Sequence, residues 1–459
     1  MDKRRRQLKK ELNAYPGERR IPSIRERQEK LRAFAAELAA AREEIYGALT
    51  ADLGRPYFDT LISELIPLAQ IVRFLARKLP SLARPRRLPW SAATFPAGAK
   101  LHREPFGRVL VVSTWNYPLL LALEPAIGAY AAGNRVYLKL SPRSPRTDEV
   151  VRAMAERVFP DGEITVIGQE LSFEEVIGFR YDYLFVTGSG ATGRAAMRKA
   201  AENLTPCTME LGGKNPCIVA AGADLKTAAK RIAWGKFFNA GQSCAAPDYL
   251  LAERSVKDEF LNLLTAEIRR MYDKAASADG SFTAMPDDAA YRRMVGLIGG
   301  GRLVCGGDRD PENLLIEPTV IDRIDDDSPL FSEEIFGPVL PVREFGDETE
   351  LIAMLSGLEH PLAAYCFGGS RRLRAYLTDG FPCGALLFDD VLIHFSNMHI
   401  PFGGVGKSGF GAYHGVRTFT TFSHEKPVMK QARSFDPPFR YPPHGEWLRK
   451  VVEFFCRLR

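Results

Sequence analysis

From Glu104 onward, short β-branched runs alternate with longer helical stretches, and this alternation restricts the fold more than any other feature of the chain. The first runs lie at 109–112, 136–140, 164–167 and 183–187; an apolar stretch at 119–132 separates the first two, and one at 147–159 the next two. Strand and long crossover in turn mean βαβ units and a doubly wound parallel sheet. A second series, at 217–220, 249–252, 319–321, 339–342, 363–367 and 385–388, predicts another α/β unit. The break falls near Leu211, Gly212 and Gly213, where turn-capable glycines separate the two series. Ahead of these units, Leu31, Phe34, Ala35, Leu38 and Ile45 recur at helical spacing in 25–50, and 61–79 continues likewise, which is packing rather than chemistry.

A chain of 459 residues has room for about three domains. With 46% hydrophobic and 26% charged residues it has the composition of a globular protein. Its apolar runs are broken by charge or Pro well short of the roughly 20 residues a membrane helix needs. The net charge of +6 is uneven, with Lys3, Arg4, Arg5, Arg6, Lys9 and Lys10 at the N-terminus and Arg84, Arg86, Arg87, Lys100 and Arg103 further on. Such runs could attract anionic lipid or nucleic acid, but a solvated helix face is the reading adopted, with no nucleic-acid partner. No apolar stretch follows the first basic cluster, so a secretory signal is not expected and the cytoplasm is. Residues 446–459, with Trp447, Leu448, Val451, Val452 and Phe455, predict a short amphipathic helix. It could dock on its own protein or weakly on a membrane surface, and the shortness of the apolar stretch favours the protein. Seven cysteines without a CxxC pair predict free thiols, and the scattered histidines predict no metal.

Gly188-Ser189-Gly190-Ala191-Thr192-Gly193 fits GxGxxG between an expected strand and a helix expected to start near Arg194, a context in which backbone N–H groups can meet a pyrophosphate. The motif follows the fourth strand rather than the first, so the mode of dinucleotide binding is a variant one. A second match, Gly404 to Gly409, lacks that context and is set aside, as is a phosphate-binding loop there, because Pro401 stands where that motif needs Gly. Cys244, in Gly241-Gln242-Ser243-Cys244, sits between a helix and a strand, where a partly exposed thiol of lowered pKa makes a nucleophile; a buried apolar Cys is the alternative. Glu210 could be a general base, a cap, or, lying 17 residues past Gly193, a ribose ligand. Asn116, ending the first strand before Tyr117-Pro118, could donate to an oxyanion or simply form a turn.

Together with Trp115-Asn116-Tyr117-Pro118, Met209-Glu210-Leu211-Gly212-Gly213-Lys214, Glu333-Glu334-Ile335-Phe336-Gly337-Pro338 and Pro401-Phe402-Gly403-Gly404-Val405-Gly406, these segments resemble the aldehyde dehydrogenase superfamily from about Leu31 to Pro443. Ala246-Pro247-Asp248-Tyr249, Tyr413-His414-Gly415 and Thr421-Phe422-Ser423-His424 resemble its class 3 branch. The resemblance implies a Rossmann-like cofactor-binding domain over 1–210, with 86–104 an extended connector or oligomerisation segment. It further implies a catalytic α/β domain over 211–395 and an arm and tail over 396–459. It implies a homodimer that oxidises aliphatic or aromatic aldehydes with NAD or NADP. Cys244 would be the nucleophile, Asn116 with the Cys244 N–H the oxyanion hole, and Glu210 the base that activates water. Lys139 would meet the adenosine ribose, Gly188, Ser189 and Gly193 the pyrophosphate region with Leu211 beside them, and Glu334 with Phe336 the nicotinamide ribose and ring.

The chain departs from that pattern in two places. Where the family usually continues Pro-Ser-Glu after its lysine, this chain has Leu140-Ser141-Pro142-Arg143, and Gly190 stands where Thr is more common. Without that glutamate, Lys139, Arg143 and Arg146 could create a positive field that accepts a 2′-phosphate, or the two arginines could point to solvent. Transfer of the acyl group to coenzyme A, which would not need Glu210, and a non-catalytic protein retaining the fold are the competing readings.

Overall fold

The first strand series forms a parallel sheet from β1 (Arg108–Val112), β2 (Arg135–Lys139), β3 (Ile164–Ile167), β4 (Tyr183–Gly188) and β5 (Cys207–Leu211), in the order β5-β4-β1-β2-β3. Helices cover both faces, so β1 is buried along its whole length and reads as an unbroken apolar run. The direction of winding reverses between β1 and β4, whose carboxyl ends therefore open a crevice. The chain leaves β1 through Thr114, Trp115 and Asn116 into α1 (Leu120–Ala132), and leaves β4 into α2 (Gly190–Glu202). α2 starts at Gly190 rather than near Arg194, because the Ser189 side chain accepts the Thr192 N–H at 3.2 Å and caps the helix earlier.

The second series forms β6 (Pro216–Val219), β7 (Tyr249–Glu253), β8 (Arg302–Cys305), β9 (Thr319–Asp322), β10 (Val339–Phe345), β11 (Ala363–Phe367) and β12 (Ala385–Phe388). Their order is β8-β9-β10-β7-β6-β11-β12, parallel except for the edge strand β8. β8 was not among the expected strands: it is short, lies between glycines and carries exposed Arg302 and Leu303. α3 (Leu225–Phe237) follows β6. Residues 212–215 link the two sheets, and β13 (Gly409–Phe410) returns to pair antiparallel with β5, placing Gly409 opposite Glu210.

The computed structural model describes residues 2–14, 20–273, 282–436 and 440–457. One compact unit comprises Met1–Leu82 and Pro105–Ser423, and a second Ala83–Glu104 and His424–Arg459. In the first unit, helix Asp2–Asn13 adds Leu8 and Leu12 to the core beneath β1 and β4. Its basic residues have partners within the fold: Arg4 meets Glu170 at 3.2 Å, and Arg5 and Lys9 meet Glu175 at 2.6 and 2.8 Å. Such half-exposed pairs add at most about 1 kcal/mol each, but they occupy the charges of Arg4, Arg5 and Lys9. The second unit is built on a three-stranded sheet of Arg86–Arg87, Gly98–Pro105 and Ser423–Lys430, and its helix Glu446–Arg457 leaves Trp447, Val452 and Phe454 exposed. The Phe455 side chain and residues 458–459 lie outside what is described. Among the described residues no helix is long and apolar enough to cross a membrane.

Candidate active site

The loop between α3 and β7 carries Cys244 to the crevice. α3 is stopped by Asn239 and Ala240 in left-handed conformations, φ 54° and 53°, followed by Gly241 at 71°. Side chains there are strained, and Asn239 offsets the strain with hydrogen bonds. Its Oδ1 accepts from Arg55 Nη2 at 2.8 Å, while its Nδ2 donates to the Asn116 and Gln242 carbonyls, both at 3.2 Å. Gly241 admits no side chain, since a Cβ would stand 2.3 Å from the Gly337 carbonyl oxygen. Beyond the loop, Asn215 Nδ2 donates to the carbonyls of Cys244 at 2.7 Å and Ala246 at 3.0 Å.

Arg55 ties this loop to Asn116. It is fully buried, pairs with Glu64 and donates to the Asn116 carbonyl. Glu64 in turn accepts the N–H groups of Leu119 and Leu120 at 2.8 and 2.9 Å, satisfying donors that the start of α1 would otherwise leave orphaned. Removing one partner of such a buried pair typically costs about 3–5 kcal/mol, so Asn116 and Cys244 are held on a stiff frame. The Asn116 side chain spends one Nδ2 hydrogen on the Gln242 carbonyl at 2.9 Å and has a second to offer. Sequence reasoning missed Arg55 and Asn215; each has only a following proline to mark it, in Arg55-Pro56 and Asn215-Pro216.

Two cavities meet at Cys244. The first, about 360 Å³, runs from the N-terminus of α2 to the thiol and is lined by Asn116, Gly188, Ser189, Glu210, Leu211, Glu334 and Phe336 among others. Lys139 and Gly193 are not in its wall. Gly193 packs on Leu211, leaving no room for a Cβ. Lys139 is buried with its Nζ donating to the Gly168 carbonyl at 2.5 Å, near Asp148 and Glu170. Glu334 accepts the Gly213 N–H at 3.2 Å and lies so close over Gly212 that a Cβ there would be 2.3 Å from both carboxylate oxygens. Arg293 holds this segment by donating to the carbonyls of Glu334 and Ile335 at 2.6 and 2.7 Å, and the Phe336 ring meets Trp115 edge-on at 5.7 Å. A helix N-terminus, a carboxylate above a glycine and an aromatic ring in one cavity fit a dinucleotide.

The second cavity, about 180 Å³, is walled by apolar side chains including Leu120, Trp234, Phe238, Ile393, Phe395 and Phe402. No Lys, Arg, Asp, Glu or His is among its described lining residues.

The electrostatics differ from the sequence expectation at one point. The Cys244 thiol is not lowered but pushed up to about 12, first by desolvation and then by the Glu334 and Glu210 carboxylates; the N–H groups of Cys244 and Ala245 act the other way. Glu210 is 3% exposed, and neither of its carboxylate oxygens has a hydrogen-bond partner. Burial, with the Glu124 charge behind it, holds Glu210 well above the usual carboxylate range. Burial also raises Glu334 to about 8. The thiol therefore rests protonated, in a cavity shared with a buried carboxylate of high proton affinity.

Of the three cations that could form a positive field, or in the case of the two arginines point to solvent, only Arg143 lines the larger cavity. Arg143 lines the larger cavity, paired with Asp287 at 3.0 Å, whereas Arg146 is exposed and reaches Glu149 at 3.5 Å. Lys139, as described above, is spent on Gly168.

A family model described as "Aldehyde dehydrogenase family" matches residues 8–428. Aldehyde dehydrogenase family 3 member A2 of Mus musculus is 33% identical over 453 residues, covering 98% of this chain and 93% of that protein. The 4,4'-diaponeurosporen-aldehyde dehydrogenase of Staphylococcus aureus is 33% identical over 432 residues, 94% of each chain. A solved structure described as the substrate-bound state of Staphylococcus aureus AldH superposes with a TM-score of 0.93 at 32% identity, covering 98% of this chain and 99% of that one.

Proposed function

We infer that this chain, which belongs to the aldehyde dehydrogenase family and resembles its class 3 branch, carries out NAD(P)-dependent aldehyde oxidation. On that premise we propose that Cys244 is its nucleophile, Asn116 and the Cys244 N–H its oxyanion donors, and Glu210 its base, with a carboxylic acid as product. The observation that carries this reading is that Cys244, of the seven cysteines, lines both cavities among the described residues. Gly188, Ser189 and Leu211 hold the pyrophosphate end, with Gly193 behind them. Glu334 and Phe336 hold the nicotinamide ribose and ring, whereas Lys139, buried outside the cavity wall with its Nζ on the Gly168 carbonyl, is left out of the cofactor contacts.

The Cys244 thiol gives up its proton to solvent water, and the sulfur adds to the aldehyde carbon. The alkoxide so formed receives the free Nδ2 hydrogen of Asn116 and the Cys244 N–H, donors already fixed before reaction. A bound NAD or NADP supplies the hydride acceptor at this site, which leaves the acyl group on Cys244 as a thioester. Glu210 then takes a proton from water, the hydroxide adds to the acyl carbon, and the Cys244 thiolate leaves as the acid departs.

The apolar cavity makes an aliphatic or aromatic aldehyde without a charged end the substrate class. A charge placed there would be desolvated with no partner, a loss of several kcal/mol. The reading includes a cytoplasmic homodimer that covers apolar side chains exposed on the second unit, among them Trp90, Phe95 and Met429. Aldehyde-dependent NADH and NADPH formation over a panel tests the assignment. Hexanal and benzaldehyde are expected to exceed succinic semialdehyde by at least about tenfold in kcat/KM, about 1.4 kcal/mol; a preference for the charged aldehyde, or no turnover with any, would overturn it.

The cofactor choice gives a further prediction. Pro142 stands where the family usually has a glutamate, so no carboxylate at that position repels a 2′-phosphate. NADP is expected to be used within about tenfold of NAD, and Pro142→Glu to move the kcat/KM ratio toward NAD by about tenfold or more. A ratio unchanged by the substitution would show that this loop does not set the choice.

A further inference from the structure

The wall of the larger cavity carries a cation that the reaction outlined above leaves without a role. Ser141-Pro142-Arg143-Ser144 forms a turn between β2 and helix Pro145–Val158. The Ser144 N–H donates to the Ser141 carbonyl and the Arg143 N–H to Ser141 Oγ, both at 3.3 Å. Proline at the second place of such a turn presets its φ, and serine at the first accepts from the backbone two residues on. The turn stands at the carboxyl end of β2, the edge on which an open parallel sheet binds its ligands.

From this turn Arg143 reaches into the cavity wall and is held on two sides. Its Cζ lies 5.8 Å from the centroid of the Trp115 ring, which itself meets Phe336, and this is within cation–π range. Its Nε is 3.0 Å from Asp287 Oδ2, while Asp287 Oδ1 accepts the Ala290 N–H at 2.8 Å and caps helix Asp288–Ile298. Such a half-exposed pair adds at most about 1 kcal/mol, so it orients the guanidinium rather than stabilising the fold. Neither Nη1 nor Nη2 of Arg143 has a hydrogen-bond partner among the described residues. Arg293, the other Arg or Lys among the described residues of that wall, has its Nη groups engaged by the Ile335 and Glu334 carbonyls.

We propose that Arg143 is a cofactor-binding residue whose Nη groups take a phosphate of the dinucleotide. This rests on the reading of the larger cavity as the dinucleotide site. A phosphate entering that cavity loses water, and the N–H groups at the start of α2 offer it only a partial positive charge. The carboxyl groups on the same wall, Glu210 and Glu334, offer none. A guanidinium supplies a full charge and a planar fork that matches two phosphate oxygens, and the Trp115 face keeps that fork in place. Two cofactor groups share this chemistry, the pyrophosphate of both NAD and NADP and the 2′-phosphate of NADP alone. Because Arg143 lines one wall with Gly188 and Ser189, the pyrophosphate is the group expected.

Isothermal titration calorimetry with NAD, NADP and ADP-ribose reads the contact without turnover, in the unmodified enzyme, Arg143→Ala, Arg143→Gln and Arg146→Ala. Loss of the guanidinium is expected to raise Kd by about tenfold or more for all three ligands, as loss of a charge-assisted fork requires. Arg146→Ala removes the same charge from an exposed side chain outside the cavity wall, and its Kd values should stay within about twofold of the parent's. A loss confined to NADP would support the contact and place it on the 2′-phosphate. Kd values that Arg143→Ala leaves unchanged for all three ligands overturn the inference. An equal rise in Arg146→Ala overturns it too, because a general field rather than a contact would then be at work. If thermal melting shows that Arg143→Ala does not fold, Arg143→Gln, which keeps the length and loses the charge, decides in its place. An unmodified enzyme that binds none of the three would instead remove the reading of the cavity, a separate failure that takes the inference with it.

Discussion

Cys244→Ala is expected to lower aldehyde-dependent formation of NADH and NADPH by at least about 10⁴-fold, because no other group can form the covalent intermediate. The remaining six cysteines offer no substitute. Among the described residues none of them lines either cavity: Cys217, Cys305 and Cys366 are buried within the sheets, Cys207 begins β5 and Cys383 lies just before β12. Cys456 is exposed on the second unit's terminal helix. Loss of Sγ leaves the cavity that receives the dinucleotide intact, since Gly188, Glu334 and Phe336 are positioned by α2, Gly213 and Arg293 rather than by the thiol. Cofactor binding, followed by quenching of tryptophan fluorescence, should therefore survive. Residual turnover within tenfold of the parent would remove Cys244 from the chemistry.

Glu210→Gln is expected to separate the two halves of the reaction. The amide keeps the shape in β5 and loses the base, for which the usual cost is about 10²- to 10⁴-fold. Release of acid should fall by that factor, and rapid mixing should show a burst of reduced cofactor followed by a stall. The pH dependence has a definite sign. Glu210 is held above the ordinary carboxylate range by burial and by Glu124, so its charged, basic form accumulates only as pH rises through that raised value. Deacylation by the parent enzyme should climb with pH through that range, and the climb should be absent from the Gln variant. If acid release keeps its rate, the alternative role of Glu210 as a ribose ligand regains its place.

The sequence made the two sheets legible because their strands, buried on both faces, must be continuous β-branched runs. Edge strand β8 escaped for the complementary reason: half of it faces solvent, and its residues carry no such run. At the site, legibility followed locality. Ser189 and Gly193 could be placed because a strand, a turn and a helix N-terminus are consecutive in the chain, although the cap at Ser189 moved the helix start. The Glu124–His414 contact joins residues 290 positions apart, and Arg55 meets Asn239 across 184. Neither periodicity nor a local motif records such pairs. The direction of the Cys244 shift was misjudged for a related reason. A helix-to-strand junction suggests partial exposure, which Cys244 has, but the folded loop also sets the thiol among desolvating walls and two carboxylates.

The most direct test of the account is the chemical identity of the stalled enzyme. Glu210→Gln is mixed with hexanal and NAD or NADP, quenched in acid within one turnover, and digested for peptide mass mapping. The account predicts a hexanoyl group on the peptide containing Cys244 and no acyl group on the peptides of the other six cysteines. Stalled enzyme bearing no acyl group, or bearing it at another residue, would contradict the covalent route through Cys244.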